Sequence, residues 1–161
     1  MNITYLTDQL QQVGWKNISP NMHLDLQFDL VGERNFTLTK WNILIKTLPL
    51  LDAPTASVWQ ANFKAMSEKS KHWFWGRCFL LCLITQQVAP DIAAASTSDT
   101  VTVMDRYLEI LLRDHRGGGG RVLIADDTSK QVYGEVPAIP YDAHKYTQSV
   151  KEILLNALGQ K

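Results

Sequence analysis

Hydrophobic and polar residues alternate most regularly over residues 22–31. Leucine or phenylalanine occupies every second position from Leu24 to Leu30, and polar side chains hold the positions between them. A period of two is typical of a strand with one buried face and one solvated face. Residues 36–48 continue a strand pattern after the segment 32–35, whose composition favours a turn. We therefore predict an antiparallel hairpin of 22–31 with 36–48, with these side chains packed inward: Leu24, Leu26, Phe28 and Leu30.

Apolar residues recur at three- and four-residue steps in four further segments, which predicts four amphipathic helices. Asp52 ahead of Pro54 is typical of a helix start, because Asp accepts from the first free N–H groups and proline fits the first turn. Gly14 is expected to end the first helix, and the polar segment 16–20 behind it is predicted to be a turn. The helices are predicted at 3–13, about 53–70, about 100–116 and about 142–158. The stripe of the last helix consists of Tyr146, Val150, Ile153, Leu154, Ala157 and Leu158.

The segment 73–84 has no polar face, so its pattern does not distinguish between two types of secondary structure. It fits a central strand covered on both sides or a buried helix, although its aromatic residues and Gly76 favour the strand. Residues 121–125 and 131–136 flank a polar loop and predict a second hairpin. In that loop Asp126 and Asp127 are interpreted as turn residues rather than metal ligands, because Asp bonds its own backbone in turns.

These elements predict an α+β fold in the order α-β-β-α-β-α-β-β-α. About five strands form a mostly antiparallel sheet with helices packed on it, and a mixed sheet is the alternative. The length of 161 residues suits one globular domain covering residues 1–161.

Composition narrows the classes of function. Hydrophobic residues make up 45% of the chain, which excludes a disordered protein. Sixteen basic residues balance sixteen acidic ones, so nucleic acid is not an expected partner. Cys78 and Cys82 lie in an apolar run and behave as buried hydrophobes. With no signal-peptide pattern and no apolar stretch of membrane-spanning length, we expect a cytoplasmic protein that does not enter a membrane.

The first hairpin carries the sharpest candidate for catalysis. It resembles metal-dependent nucleases of the PD-(D/E)xK type, which place an aspartate on one strand and an acid-x-lysine on the next. The resemblance implies Asp25 or Asp29 as the first carboxylate and Lys46 as the lysine. Leu44 stands where the second acid is required, so such a domain would be degenerate.

Other chemical motifs are weaker. The glycine run 117–120 follows a helix and precedes a strand, which is the opposite polarity to a phosphate-binding loop. The four histidines are scattered without metal-ligand spacing, so we expect no metal and no cofactor.

Five tryptophans remain, and most are explained by core packing. Aromatic residues are also enriched at binding sites, and a groove for a ligand or partner would involve Trp41, Trp73, Trp75 and Tyr133. We therefore expect a non-enzymatic interaction, scaffold or chaperone-like domain that binds a protein partner or a second copy of itself. The alternatives are the divergent nuclease with Asp25, Asp29 and Lys46, and a small-ligand-binding domain.

Overall fold

Six strands form one mixed sheet that is covered by helices on both faces. The computed structural model describes residues 2–36, 39–69, 76–89, 107, 120–134 and 141–159. Within these ranges the elements are α1 (Ile3–Gln12), β1 (Lys16–His23), β2 (Leu26–Phe36), β3 (Thr39–Leu48), α2 (Ala53–Lys69), β4 (Gly76–Thr85), β5 (Gly120–Asp126), β6 (Gln131–Tyr133) and α3 (Tyr141–Gly159).

The strands lie in the sheet in chain order, from β1 at one edge to β6 at the other. Neighbours are antiparallel at β1–β2, β2–β3 and β5–β6, and parallel at β3–β4 and β4–β5. The predicted α+β class is confirmed. The sheet is mixed rather than mostly antiparallel, and it has six strands rather than about five.

Side chains from the central strands alternate between two hydrophobic cores. We call the side covered by α1 and α3 face A, and the side covered by α2 and Tyr107 face B. Face A takes from the sheet Leu30, Trp41, Ile43, Ile45, Leu80, Cys82, Ile84, Leu123, Ala125 and Val132. Face B takes Phe28, Leu44, Leu48, Phe79, Leu81, Leu83, Val122 and Ile124.

The connections explain which helix covers which face. Parallel strands need crossover connections, and crossovers of one hand that step the same way across a sheet lie on the same face. The first crossover contains α2, and the second contributes Tyr107; both pack on face B. Because α1 precedes the sheet and α3 follows it, these two are free to cover face A.

Most of the predicted helices are confirmed. Asn2 and Asp52 cap α1 and α2, since their side chains accept from the N–H groups of Tyr5 and Thr55 at 3.2 and 2.8 Å. Gly14 follows α1 with φ of +93°. All six residues of the predicted stripe in α3 are buried. The predicted helix at about 100–116 lies outside the described residues except for Tyr107, and among the described residues no helix is long and apolar enough to span a membrane.

The strands predicted for the centre and the far edge are confirmed as well. The part of 73–84 that the structure describes belongs to β4, which has parallel neighbours on both sides. β5 and β6 form the second hairpin, although β6 ends at Tyr133.

The segment 16–20 is a strand, so its assignment as a turn was wrong. It belongs to β1, and the true turn comes at Leu24 and Asp25, both of which have positive φ (50° and 67°). Two consecutive positive φ values suit a tight hairpin turn, yet asparagine and glycine are the usual residues there. β1 has no buried face, and this is why it lacks the pattern of a half-buried strand.

The segment 32–35 is not a turn either, because it continues β2. A Cβ on Gly32 would come within 3.0 Å of Ile43 and 3.1 Å of Ile18, so glycine permits close packing of neighbouring strands here. Arg34 donates to the carbonyl of Val13 and lies 4.2 Å from the ring centre of Tyr146 on face A. Polar residues that resemble a loop therefore tie the strand to its surroundings.

The alternating residues of the first hairpin do not share one face. β2 does pair with β3 as predicted, but Phe28 lies in the face B core and Leu30 in the face A core. The reason is a bulge in β2. The pairings Ser19↔Val31 and Asn21↔Phe28 set two steps along β1 against three along β2. An extra residue in a strand reverses the side on which the following residues lie.

Candidate functional site

Three carboxylates lie at four-residue steps in the β1–β2 turn and along β2, and each has a lysine partner. Asp25 lies 3.8 Å from Lys69, and Asp29 lies 3.9 Å from Lys46. Glu33 pairs with a lysine of β3, Lys40. The negative charge of this hairpin is therefore balanced by lysines within the same chain.

Glu33 has the strongest of these environments. Its carboxylate accepts from the ammonium of Lys40 and from the side-chain amide of Asn17. These two hydrogen bonds, the one from Lys40 first, hold the pKa of Glu33 below its ordinary value. A carboxylate held ionised by such partners is suited to an ion pair rather than to proton transfer near neutral pH.

Asp29 and Lys46 are the predicted nuclease residues that the structure brings together. One oxygen of Asp29 faces the ammonium of Lys46, and the other accepts from the N–H of Thr47 at 2.5 Å. The ladder between β2 and β3 begins only at Leu30↔Ile45, so Asp29 satisfies a backbone donor beyond the point where regular pairing stops. The carboxylate of Asp29 therefore has a structural role, in which it binds a backbone N–H group and a lysine without a metal.

The other parts of a nuclease site are not assembled in the same way. Asp25 lies in the exposed turn and pairs with Lys69 on α2. Leu44 is fully buried in the face B core. Among the described residues, no three His, Cys, Asp or Glu side chains are grouped so as to hold a metal ion.

The predicted aromatic groove includes residues on opposite sides of the sheet. Trp41 is buried on face A, where its ring lies 5.8 Å from that of Tyr146. Tyr133 is half-buried against the face B core. Trp73 and Trp75 lie outside the described residues. The structure therefore does not bring Trp41 and Tyr133 onto one surface.

The carboxyl ends of β4 and β5 form a second polar cluster. Asp126 is only 6% exposed, and it accepts from the N–H of Thr128 at 2.9 Å and from the hydroxyl of Ser129 at 2.7 Å. Thr128 in turn donates to the carbonyl of Gln86 at 2.8 Å. Asp126 therefore acts in the turn as the sequence predicted, since its carboxylate organises the turn, and the hydroxyl of Thr128 ties the turn to the residue that follows β4.

Burial disfavours ionisation of both cysteines of β4. Cys82 is completely buried, and burial raises the pKa of its thiol far above the ordinary value. Cys78 is half-buried, and burial raises its pKa as well, with a smaller opposing effect of Arg121. Because the thiolate is the nucleophile, neither position is suited to covalent catalysis.

Sequence reasoning missed the most exposed part of the sheet. We call residues 16–27 the β1 arm; it comprises β1, the tight turn and the first residues of β2, and none of its side chains is buried. Met22, the most exposed large apolar side chain of the arm, is 58% exposed. Ile18, Pro20 and Met22 alternate with polar residues, and this weak period of two was the available signal.

No protein-family model, curated protein or solved structure matches this chain.

Proposed function

We propose that this chain is a non-enzymatic protein-interaction domain and that its partner protein docks on the β1 arm. The observation that carries the proposal is the exposure of the arm. Every residue of 16–27 is exposed or half-buried, whereas the central strands are enclosed between two helical layers. A long strand that buries so little contributes little to the core, so its length is better explained by contacts with another molecule.

The charges of the arm define the chemistry of the partner. Lys16 lies at the start of the arm and Asp25 at its tip is paired with Lys69, while the stretch between them from Asn17 to Met22 carries no charge. We therefore expect a partner that presents an uncharged surface, with an apolar recess for the side chain of Met22. Binding through such a surface depends weakly on ionic strength, because screening acts on charges.

The test compares two exposed apolar residues. Met22 on the arm and Val58 on α2 are 58% and 59% exposed, so a glutamate at either position has a similar desolvation cost in the free protein. We expect Met22→Glu to abolish recovery of the partner from a lysate of the source cells. The matched control, Val58→Glu, should recover it as the parent does, and recovery should change less than about threefold between low and high salt.

Two outcomes contradict the proposal. Equal recovery with both variants would show that the arm is not the docking surface. Loss of recovery with Val58→Glu alone would move the site to α2. Circular dichroism and thermal unfolding of both variants establish that the fold is retained in each case.

A divergent nuclease is the second candidate, favoured by the approach of Asp29 to Lys46 across neighbouring strands. Because Leu44 replaces the second acid and Asp29 is engaged by Thr47, we expect no cleavage of plasmid or single-stranded DNA with Mg²⁺ or Mn²⁺ at stoichiometric protein. Metal-dependent nicking that disappears in Asp29→Ala would reverse the ranking of the two functions.

A further inference from the structure

β1 forms the outer edge of the sheet, and the geometry of its hairpin shows which backbone groups point outward. His23 and Leu26 close a two-residue turn as a directly paired couple, so the N–H and C=O of His23 face β2. Successive residues of a strand point their backbone groups to opposite sides. The groups of Met22 therefore face outward, those of Asn21 face Phe28 on β2, and those of Pro20 face outward again.

Neither of these two outward positions offers a free backbone donor. Pro20 has no N–H at all. The N–H of Met22 is bound by the side-chain oxygen of its neighbour Asn21 at 2.7 Å. A strand that adds to a sheet edge needs a donor and an acceptor at each outward residue, so this stretch of the edge lacks half of what an incoming strand requires.

At the opposite edge of the sheet, a different feature disfavours strand addition. β6 contains only three residues, Gln131–Tyr133, and a short edge offers few sites for pairing. The two edges of the sheet therefore differ in the feature that disfavours the addition of another strand. From Pro20 to Met22 the long edge has its outward donors removed or occupied, while the other edge is short.

We infer that Pro20 and Asn21 guard the free edge of β1 against strand addition by a second copy of this chain. A second copy is the relevant occupant, because two identical edges can pair antiparallel about a twofold axis and join two sheets into one. The guard leaves the side chains of the arm accessible, so it is compatible with docking on the faces of the arm and does not depend on that function.

The experiment opens the edge by substitution. Pro20→Thr restores an outward N–H, and Asn21→Val releases the N–H of Met22 while favouring strand structure. We expect the double variant to associate with increasing concentration in sedimentation velocity, reaching at least twice the parent's mass. The amide of Met22 should exchange with solvent at least tenfold more slowly at high than at low protein concentration.

The matched control is Gln27→Val, which adds the same β-branched side chain to the residue paired with Met22 but leaves the outer edge unchanged. It should sediment as the parent does. A double variant that is folded and sediments as the parent at every concentration would overturn the inference. So would association of Gln27→Val to the same extent. The two single variants, each expected to associate less than the double variant, decide the question if the double variant does not fold.

Discussion

The outer strands β1 and β2 differ from the central strands β3, β4 and β5 in how they are held. The central strands have neighbours on both sides and helices on both faces, and residues such as Leu80, Leu81 and Leu83 are completely buried. β1 has one neighbour and no buried residue. In the hairpin of β1 and β2, Phe28 and Leu30 anchor β2 in the two cores, whereas β1 is held by its pairing with β2, by the contact of Asn17 with Glu33 and by the conformation of the turn.

The difference indicates which part of the domain contributes most to its stability. Burial of apolar surface is the dominant favourable contribution to folding, so the central strands and their helices should determine global stability. We expect substitutions in β1 to affect the fold less than substitutions in the central strands, since none of the residues of β1 is buried.

The largest effect is expected from Leu154→Asp in α3. Leu154 is fully buried on face A, and an unpaired carboxylate there should cost several kcal/mol out of a typical total of about 5–15 kcal/mol. We expect little soluble folded protein on expression. The adjacent residue is 39% exposed, so Leu155→Asp should fold as the parent does. If both variants express and unfold alike, α3 is not a core helix.

A smaller effect is expected from alanine substitutions that compare β4 with the β1 arm directly. Leu81→Ala removes a fully buried side chain from β4 and should cost about 2–5 kcal/mol. Met22→Ala removes a side chain from the β1 arm and should change the free energy of unfolding by less than about 0.5 kcal/mol. Urea unfolding monitored by tryptophan fluorescence measures both values. Comparable losses would mean that the arm belongs to the cooperative core.

The smallest effect is expected in the pH dependence of stability that the ion pair of Glu33 and Lys40 contributes. The pKa of Glu33 is lowered in the folded state, so its ion pair stabilises the fold above the unfolded pKa, and this contribution is lost as pH falls through the folded value. The stability difference between the parent and Glu33→Gln should therefore shrink between about pH 6 and pH 3. Lys40→Met should behave in the same way, because Lys40 supplies the main hydrogen bond. Parallel pH profiles for parent and Glu33→Gln would show that the pair contributes no stability.

The candidate nuclease residues illustrate how far a motif can be followed. Spacing along two strands predicted that Asp29 and Lys46 could meet, and they lie 3.9 Å apart. The motif could not predict that the other oxygen of Asp29 would accept from the N–H of Thr47, because this bond lies beyond the end of the ladder between β2 and β3. Asp29 therefore occupies the position that the motif predicts, but its carboxylate is already engaged by a backbone N–H group.

Local pattern alone determined the elements that bury a regular face. α3 was predictable because its stripe repeats with the helical period, and α2 because its first turn has the residues of a helix start. The segment 73–84 has an apolar composition that demanded burial, although pairing with β3 and β5 was needed to decide that its described part is a strand.

The conformation of the β1–β2 hairpin follows from tertiary contacts rather than from the local sequence pattern. β1 has no fully buried residue and only a weak alternation of apolar and polar residues, so it lacks the pattern by which a half-buried strand is recognised. Gly32 permits close contact with Ile18 and Ile43, a role that depends on residues far away in sequence. The bulge places Phe28 and Leu30 in opposite cores despite their regular spacing. A sequence pattern records whether a residue is buried, whereas the face on which it is buried depends on strand register, and register is set by the partner strands.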